Sequence, residues 1–166
     1  MNPEFTIEYV ELPNGRIPAR EFVNSLDDKA AARIDAFIDR LRVYGNRMQG
    51  KFVNPKGVGI MRRDRHSEFV EQRRRKSAAY RQSFARALQQ IDLALLVREM
   101  REGAGLTQMQ LARKVDTTQS VIARLEDAEY KGHSLTMLER IATACGVALK
   151  LHAQKKPHFN REVTLV

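Results

Sequence analysis

The stretch LTQMQLARKVDTTQSVIARLE, residues 106–126, constrains this chain more than any other part of it. It reads as two short helices separated by a turn of three or four residues. Thr107-Gln108-Met109-Gln110 has the Thr-x-x-Gln form of a capping box and opens the first helix, with Leu111, Ala112 and Val115 facing inward. Ala112 is small where the two helices must cross closely. Val115, Ile122 and Leu125 are apolar where the pair packs on its neighbours. Asp116 falls in the turn, where a left-handed backbone is tolerable for Asp although easier for Gly. Thr117 is the expected cap of the second helix. That leaves Thr118, Gln119 and Ser120 in an exposed first turn, with Arg124 further along the same side.

The flanking residues supply what such a pair needs to pack against. Leu93, Leu96, Val97 and Met100 mark an amphipathic helix closed by Gly103 or Gly105. After Lys131-Gly132-His133, Ser134 is placed to cap a helix with Leu135, Leu138, Ile141 and Ala142 inward, and Gly146 stops it. Val147, Leu149 and Leu151 then alternate like a strand. With Leu-Thr-Gln, Leu-Ala, Thr-Thr-Gln-Ser and Leu-Glu at these spacings, residues 91–151 resemble the XRE (Cro-type) helix-turn-helix family. The resemblance implies that Thr118, Gln119, Ser120 and Arg124 face the major groove and that Gln108 touches phosphate, with Thr107, Arg113 and Lys131 as further phosphate candidates. Asp116 departs from the Gly of many relatives. The closing strand is similar to that of HigA-type antitoxins, which repress their own operon and bind a partner toxin.

Charge is distributed unevenly. Residues 61–90 carry nine Lys/Arg against three Asp/Glu, a net +6 out of +9 for the whole chain. A basic block of this kind attracts nucleic-acid phosphate or an acidic partner; the plainer alternative is a solvated helix face. The segment reads as a polar helix with widely spaced Phe69, Tyr80, Phe84 and Leu88. Arg73, Arg74, Arg75 and Lys76 repel one another and are the expected electrostatic contacts. It looks like the basic arm that precedes the helix-turn-helix in the antitoxins.

Residues 1–60 have a different character. Phe5 to Val10 alternates as a strand, and Leu12-Pro13-Asn14-Gly15 is turn chemistry. Pro18 opens a helix with Phe22, Val23 and Leu26 on its apolar stripe. A second helix follows Asp27-Asp28, with Ile34, Phe37, Ile38 and Leu41 on one side and Asp35, Asp39 and Arg40 on the other. Gly45-Asn46 ends it, and Lys51-Phe52-Val53 is a candidate short strand. Residues 4–57 resemble the front of a RelE/HigB-type toxin, an mRNA interferase. The further strands that this family needs are replaced after Ile60 by Met61-Arg62-Arg63. Two helices and one or two strands cannot cover a core alone, so this part is expected to pack on the arm or on a second subunit.

The expected fold class is α+β, mostly α. It comprises a toxin-like fragment (1–60), a basic helical arm (61–90), a five-helix helix-turn-helix domain with a C-terminal strand (91–154) and a basic tail (155–166). No apolar run approaches the ~20 residues that span a membrane, and the first residues lack signal-peptide character. Cys145 is the one cysteine, and an intracellular, cytoplasmic protein is the simplest reading. His66, His133, His152 and His158 show no metal-ligand spacing and read as surface residues. Arg47, Lys51 and Lys56 are cations without an evident acid–base pair, so neither an enzyme nor a cofactor is expected. The leading expectation is an antitoxin-type DNA-binding repressor, dimeric and autoregulating a toxin–antitoxin operon, with operator DNA and a RelE/HigB-type toxin as partners. The alternatives are a toxin-neutralising interaction protein and a residual mRNA interferase held inactive in cis.

Overall fold

A computed structural model of the chain describes residues 7, 9–45, 65–155 and 159–165. Among them are seven helices and one two-stranded sheet, in two compact units divided between Ile91 and Asp92. No described helix is long and apolar enough to cross a membrane. The expected strand at 51–53 and the Met61-Arg62-Arg63 junction lie outside the described residues, as do Phe5, Thr6 and Glu8 of the expected first strand. Its Ile7, Tyr9 and Val10 have no regular secondary structure.

In the first unit, α1 (Pro18–Ser25) starts on Pro18, whose fixed φ suits a helix's first position and whose missing N–H costs nothing there. Helix α2 (Asp28–Tyr44) is capped by Asp27, which accepts the Ala30 N–H at 2.8 Å, and ends where Gly45 turns to φ 54°. Helix α3 (Arg65–Lys76) and the first part of α4 (Ala78–Gly103) form the basic segment. The run read as one helix is divided at Ser77. Its hydroxyl accepts the Tyr80 N–H at 3.1 Å and donates to Asp28 Oδ2 at 2.5 Å, so it caps α4 and ties it to the start of α2.

The inward face of α2 is not the predicted one. Ala31, Ala32, Asp35 and Ala36 are fully buried, whereas Ile34, Phe37, Ile38 and Leu41 are only partly covered. Three alanines let neighbouring helices approach closely, and Asp35 is compensated by three elements. Arg20 of α1 donates to Asp35 Oδ1 at 2.7 Å, the Tyr80 hydroxyl of α4 donates to Oδ2 at 2.6 Å, and His66 Nε2 of α3 donates to the Asp35 carbonyl at 3.1 Å. Tyr9 Oη lies 2.8 Å from His66 Nδ1, and the Arg20 guanidinium stacks 4.6 Å from the Phe69 ring centre. His66, expected at the surface, is therefore fully buried. Burial first, and the Asp35 hydrogen bond second, push the Tyr80 phenol well above its ordinary pKa, so it remains a donor. The N-terminal helices thus pack on the basic segment, as the shortage of cover in residues 1–60 requires.

The second unit holds the end of α4, then α5 (Gln108–Lys114), α6 (Gln119–Leu125) and α7 (Leu135–Cys145). Its core is Val97, Met100, Leu111, Ala112, Val115, Ile122, Leu125, Leu138, Ile141 and Ala142, close to the predicted set; Leu135 is instead exposed. Ser134 caps α7 through the Met137 N–H, and Gly146 ends it at φ 67°. Four helices, not five, lie among the described residues of this unit. Strand β1 (Lys150–Lys155) pairs antiparallel with β2 (Phe159–Thr164), Leu151 opposite Val163. The stretch read as a basic tail therefore contains the partner strand of a hairpin, since a lone strand leaves its backbone groups unpaired.

Candidate nucleic-acid interface

Helices α5 and α6 are built by local signals. Thr107 accepts the Gln110 N–H at 3.2 Å while Gln110 Oε1 accepts the Thr107 N–H at 2.8 Å, a complete capping box. Asp116 takes φ 49°, the left-handed turn position expected of it and the one non-glycine with positive φ among the described residues. Arg140 of α7 donates to the carbonyls of Val115 and Asp116, tying the turn to the core helix. The cap of α6 is Thr118, not Thr117: Thr118 is extended (φ –102°, ψ 153°), and its hydroxyl faces the Val121 N–H at 3.4 Å and Ser120 Oγ at 2.9 Å. Two adjacent threonines offer the same chemistry, and the backbone chooses the second.

The first turn of α6 is exposed, with Thr118, Gln119 and Ser120 all at the surface and Arg124 one turn beyond Ser120. Gln119 is not a free side chain. Its Nε2 donates to Gln108 Oε1 at 2.7 Å, and Gln108 Nε2 donates to Glu126 Oε2 at 2.9 Å. Glu126 in turn accepts from Arg101 Nε at 2.5 Å and from Nη2 at 2.9 Å, while Arg101 Nη1 reaches the Leu106 carbonyl at 2.9 Å. The Glu126 hydrogen bond, more than any other influence, raises the Arg101 pKa and keeps its guanidinium charged. The Arg101 and Glu126 side chains are only 12% and 6% exposed, so this pair is an anchor for the polar chain above it. The chain runs from α4 through the end of α6 to α5 and back to the start of α6. It fixes the amide of Gln119 while leaving its carbonyl oxygen and one amide hydrogen for a ligand.

Glu126 and Arg101 were not among the predicted site residues. The signal for Glu126 was present in the Leu-Glu that closes the motif; Arg101 looks like an ordinary helix-end cation until its partner, 25 residues away, is known. Of the other predicted phosphate contacts, Arg113 and Lys131 are exposed, with Arg113 Nη2 3.5 Å from Met109 Sδ, and Thr107 is engaged in its capping box. Arg74, Arg75 and Lys76 of the arm are exposed. Arg73 instead turns inward: it donates to the Asn24 carbonyl at 3.2 Å and lies over the Tyr80 ring at 5.7 Å. Arg47, Lys51 and Lys56 lie outside the described residues, as does His158. His133 is half-buried, its Nε2 2.7 Å from the Leu125 carbonyl, and His152 is exposed. No group of three or more His, Cys, Asp or Glu among the described residues is arranged to hold a metal ion.

Two short helices crossing on a small alanine, a left-handed turn and an exposed, polar, rigidly held second-helix N-terminus define a helix-turn-helix, the class of fold that lays its second helix in the DNA major groove. Residues 92–154 match the family model of the helix-turn-helix domain. No curated protein and no solved structure matches the chain.

Proposed function

We propose that this chain is a sequence-specific DNA-binding transcriptional repressor that reads duplex DNA through α6. The observation that carries this reading is the Arg101–Glu126–Gln108–Gln119 hydrogen-bond chain. It holds a glutamine amide at the exposed start of α6, where recognition helices meet base edges. A Gln side chain pairs bidentately with adenine N6 and N7, and holding it in place beforehand reduces the entropy lost on binding. Thr118, Ser120 and Arg124 are the neighbouring readers. Gln108, Thr107, Arg113 and Lys131 set the helix against phosphate, which positions but does not specify.

A single α6 covers too few base pairs for useful discrimination, so the active form is a homodimer on two half-sites ~34 Å apart. The hairpin supports this: Leu151 and Val163, opposite one another in register, are 51% and 41% exposed, an apolar pair that the described residues leave half uncovered. The finer reading, an antitoxin-type repressor of its own toxin–antitoxin operon, rests on the sequence resemblances and on the packing of toxin-like helices against the arm. Fluorescence anisotropy of the full chain on the DNA upstream of its own coding region, against a shuffled duplex of equal length, tests the proposal. Preference for the upstream duplex is expected; equal binding to both contradicts it.

A further inference from the structure

The basic segment is not uniformly available. Arg73 is committed to Asn24 and Tyr80; Arg74 lies 5.9 Å from the Phe84 ring centre and stays half-exposed, Arg75 and Lys76 are exposed, and a cation from the next helix joins them. Arg81 of α4 donates through Nη1 to the Arg74 carbonyl at 2.5 Å, which places its guanidinium against the C-terminal end of α3, the turn that carries Arg74, Arg75 and Lys76. Arg74 and Arg75 side chains are 50% and 78% exposed, and the acid within ion-pair distance of them is Glu71, shared between the two. Lys76 and Arg81 have no acidic partner among the described residues. Cations at a helix C-terminus are favoured by the dipole, but Arg74, Arg75, Lys76 and Arg81, close in sequence and one of them drawn in from another helix, share a single acid, Glu71, so the local charge stays strongly positive.

We propose that Arg74, Arg75, Lys76 and Arg81 form a second DNA-contacting surface, which binds the phosphate backbone of duplex DNA without reading sequence. The surroundings favour this occupant over an acidic protein. Protein interfaces are anchored by large apolar or aromatic side chains, and α3 and the first part of α4 expose none: Val70, Tyr80 and Phe84 are buried and Phe69 is half-covered. What surrounds the cations is Gln72, Ala78, Ala79 and Gln82, all exposed and small or polar. Such a face engages through charge alone, as phosphate contacts do. The assignment to duplex DNA rather than RNA rests on the α6 reading above.

The test uses the full chain and a variant carrying Arg74→Ala, Arg75→Ala and Arg81→Ala. Binding to the upstream duplex, a shuffled duplex and a single-stranded RNA of equal length is measured over a salt series, with circular dichroism to verify that the variant is folded. The proposal expects affinity for both duplexes to fall by the same factor, at least about tenfold at low salt, and the slope of log K against log salt to flatten by roughly 0.9 per lost contact. The corresponding triple Lys variant should retain most of the slope. An unchanged slope with intact preference for the upstream duplex overturns this surface and leaves the α6 reading standing. A flattened slope with no preference by the unaltered chain does the reverse. Effects seen only on RNA assign the face to RNA, and no binding to any duplex overturns both.

Discussion

Buried charge is the sharpest residue-scale feature of the first unit. Asp35 is fully buried and compensated by Arg20 and Tyr80, so removing it strands a guanidinium in a closed environment. Asp35→Ala is expected to cost about 3–5 kcal/mol in urea unfolding, the range for breaking a buried ion pair from one side. A loss under about 1 kcal/mol, ordinary for an exposed ion pair, contradicts this account. In the second unit, Cys145 packs against the core, and burial raises its thiol pKa. The folded chain then holds this proton to higher pH than the unfolded chain. Its contribution to stability is complete below the unfolded thiol's pKa and declines as pH rises through that value toward the folded one. Because it is the chain's one cysteine, alkylation by iodoacetamide at mildly alkaline pH reports it directly. The folded protein should react more slowly than the urea-unfolded chain; equal rates contradict the shift.

At the scale of elements, the boundary of α6 separates two neighbouring threonines. Thr118→Ala removes the cap and is expected to lower stability by about 1 kcal/mol, whereas Thr117→Ala should change it by less than half that. Thermal melts of the two variants decide between them, and the opposite order puts the cap at Thr117. The paired short helices were legible because their signals are local: the Thr-x-x-Gln box, the spacing of Leu111, Val115, Ile122 and Leu125, and the Asp116 turn. The inward face of α2 was not legible. Ile34, Phe37, Ile38 and Leu41 form the more hydrophobic stripe, and only partners on three other helices make burying Asp35 worthwhile. His66 was misread for the same reason, since its acceptor lies 31 residues away. Strand β2 was hidden by Lys155, Lys156 and Arg161, which read as a basic tail, although Phe159, Arg161, Val163 and Leu165 sit at alternate positions. The Gln108–Gln119 contact joins two residues already singled out, but their coupling through Glu126 to Arg101 is a tertiary fact.

For the whole molecule, the proposed reading of DNA through α6 requires two copies of the second unit. Substituting Val163→Arg on the exposed hairpin face places like charges across the proposed seam. Light scattering at micromolar concentration should then show a dimer for the unaltered chain and a monomer for the variant; a dimer for both moves the interface elsewhere. The central claim is that α6 reads bases through Gln119 held by Gln108 and Glu126. Selection from a pool of randomised duplexes, run in parallel with the unaltered chain and with Gln119→Ala, tests it most directly. The unaltered chain should enrich two half-sites one helical turn apart, and Gln119→Ala should lose ~1–3 kcal/mol of discrimination at one position of each half-site, with the rest of the motif intact. Enrichment of the same motif at the same strength by both proteins would mean that α6 is not the reader.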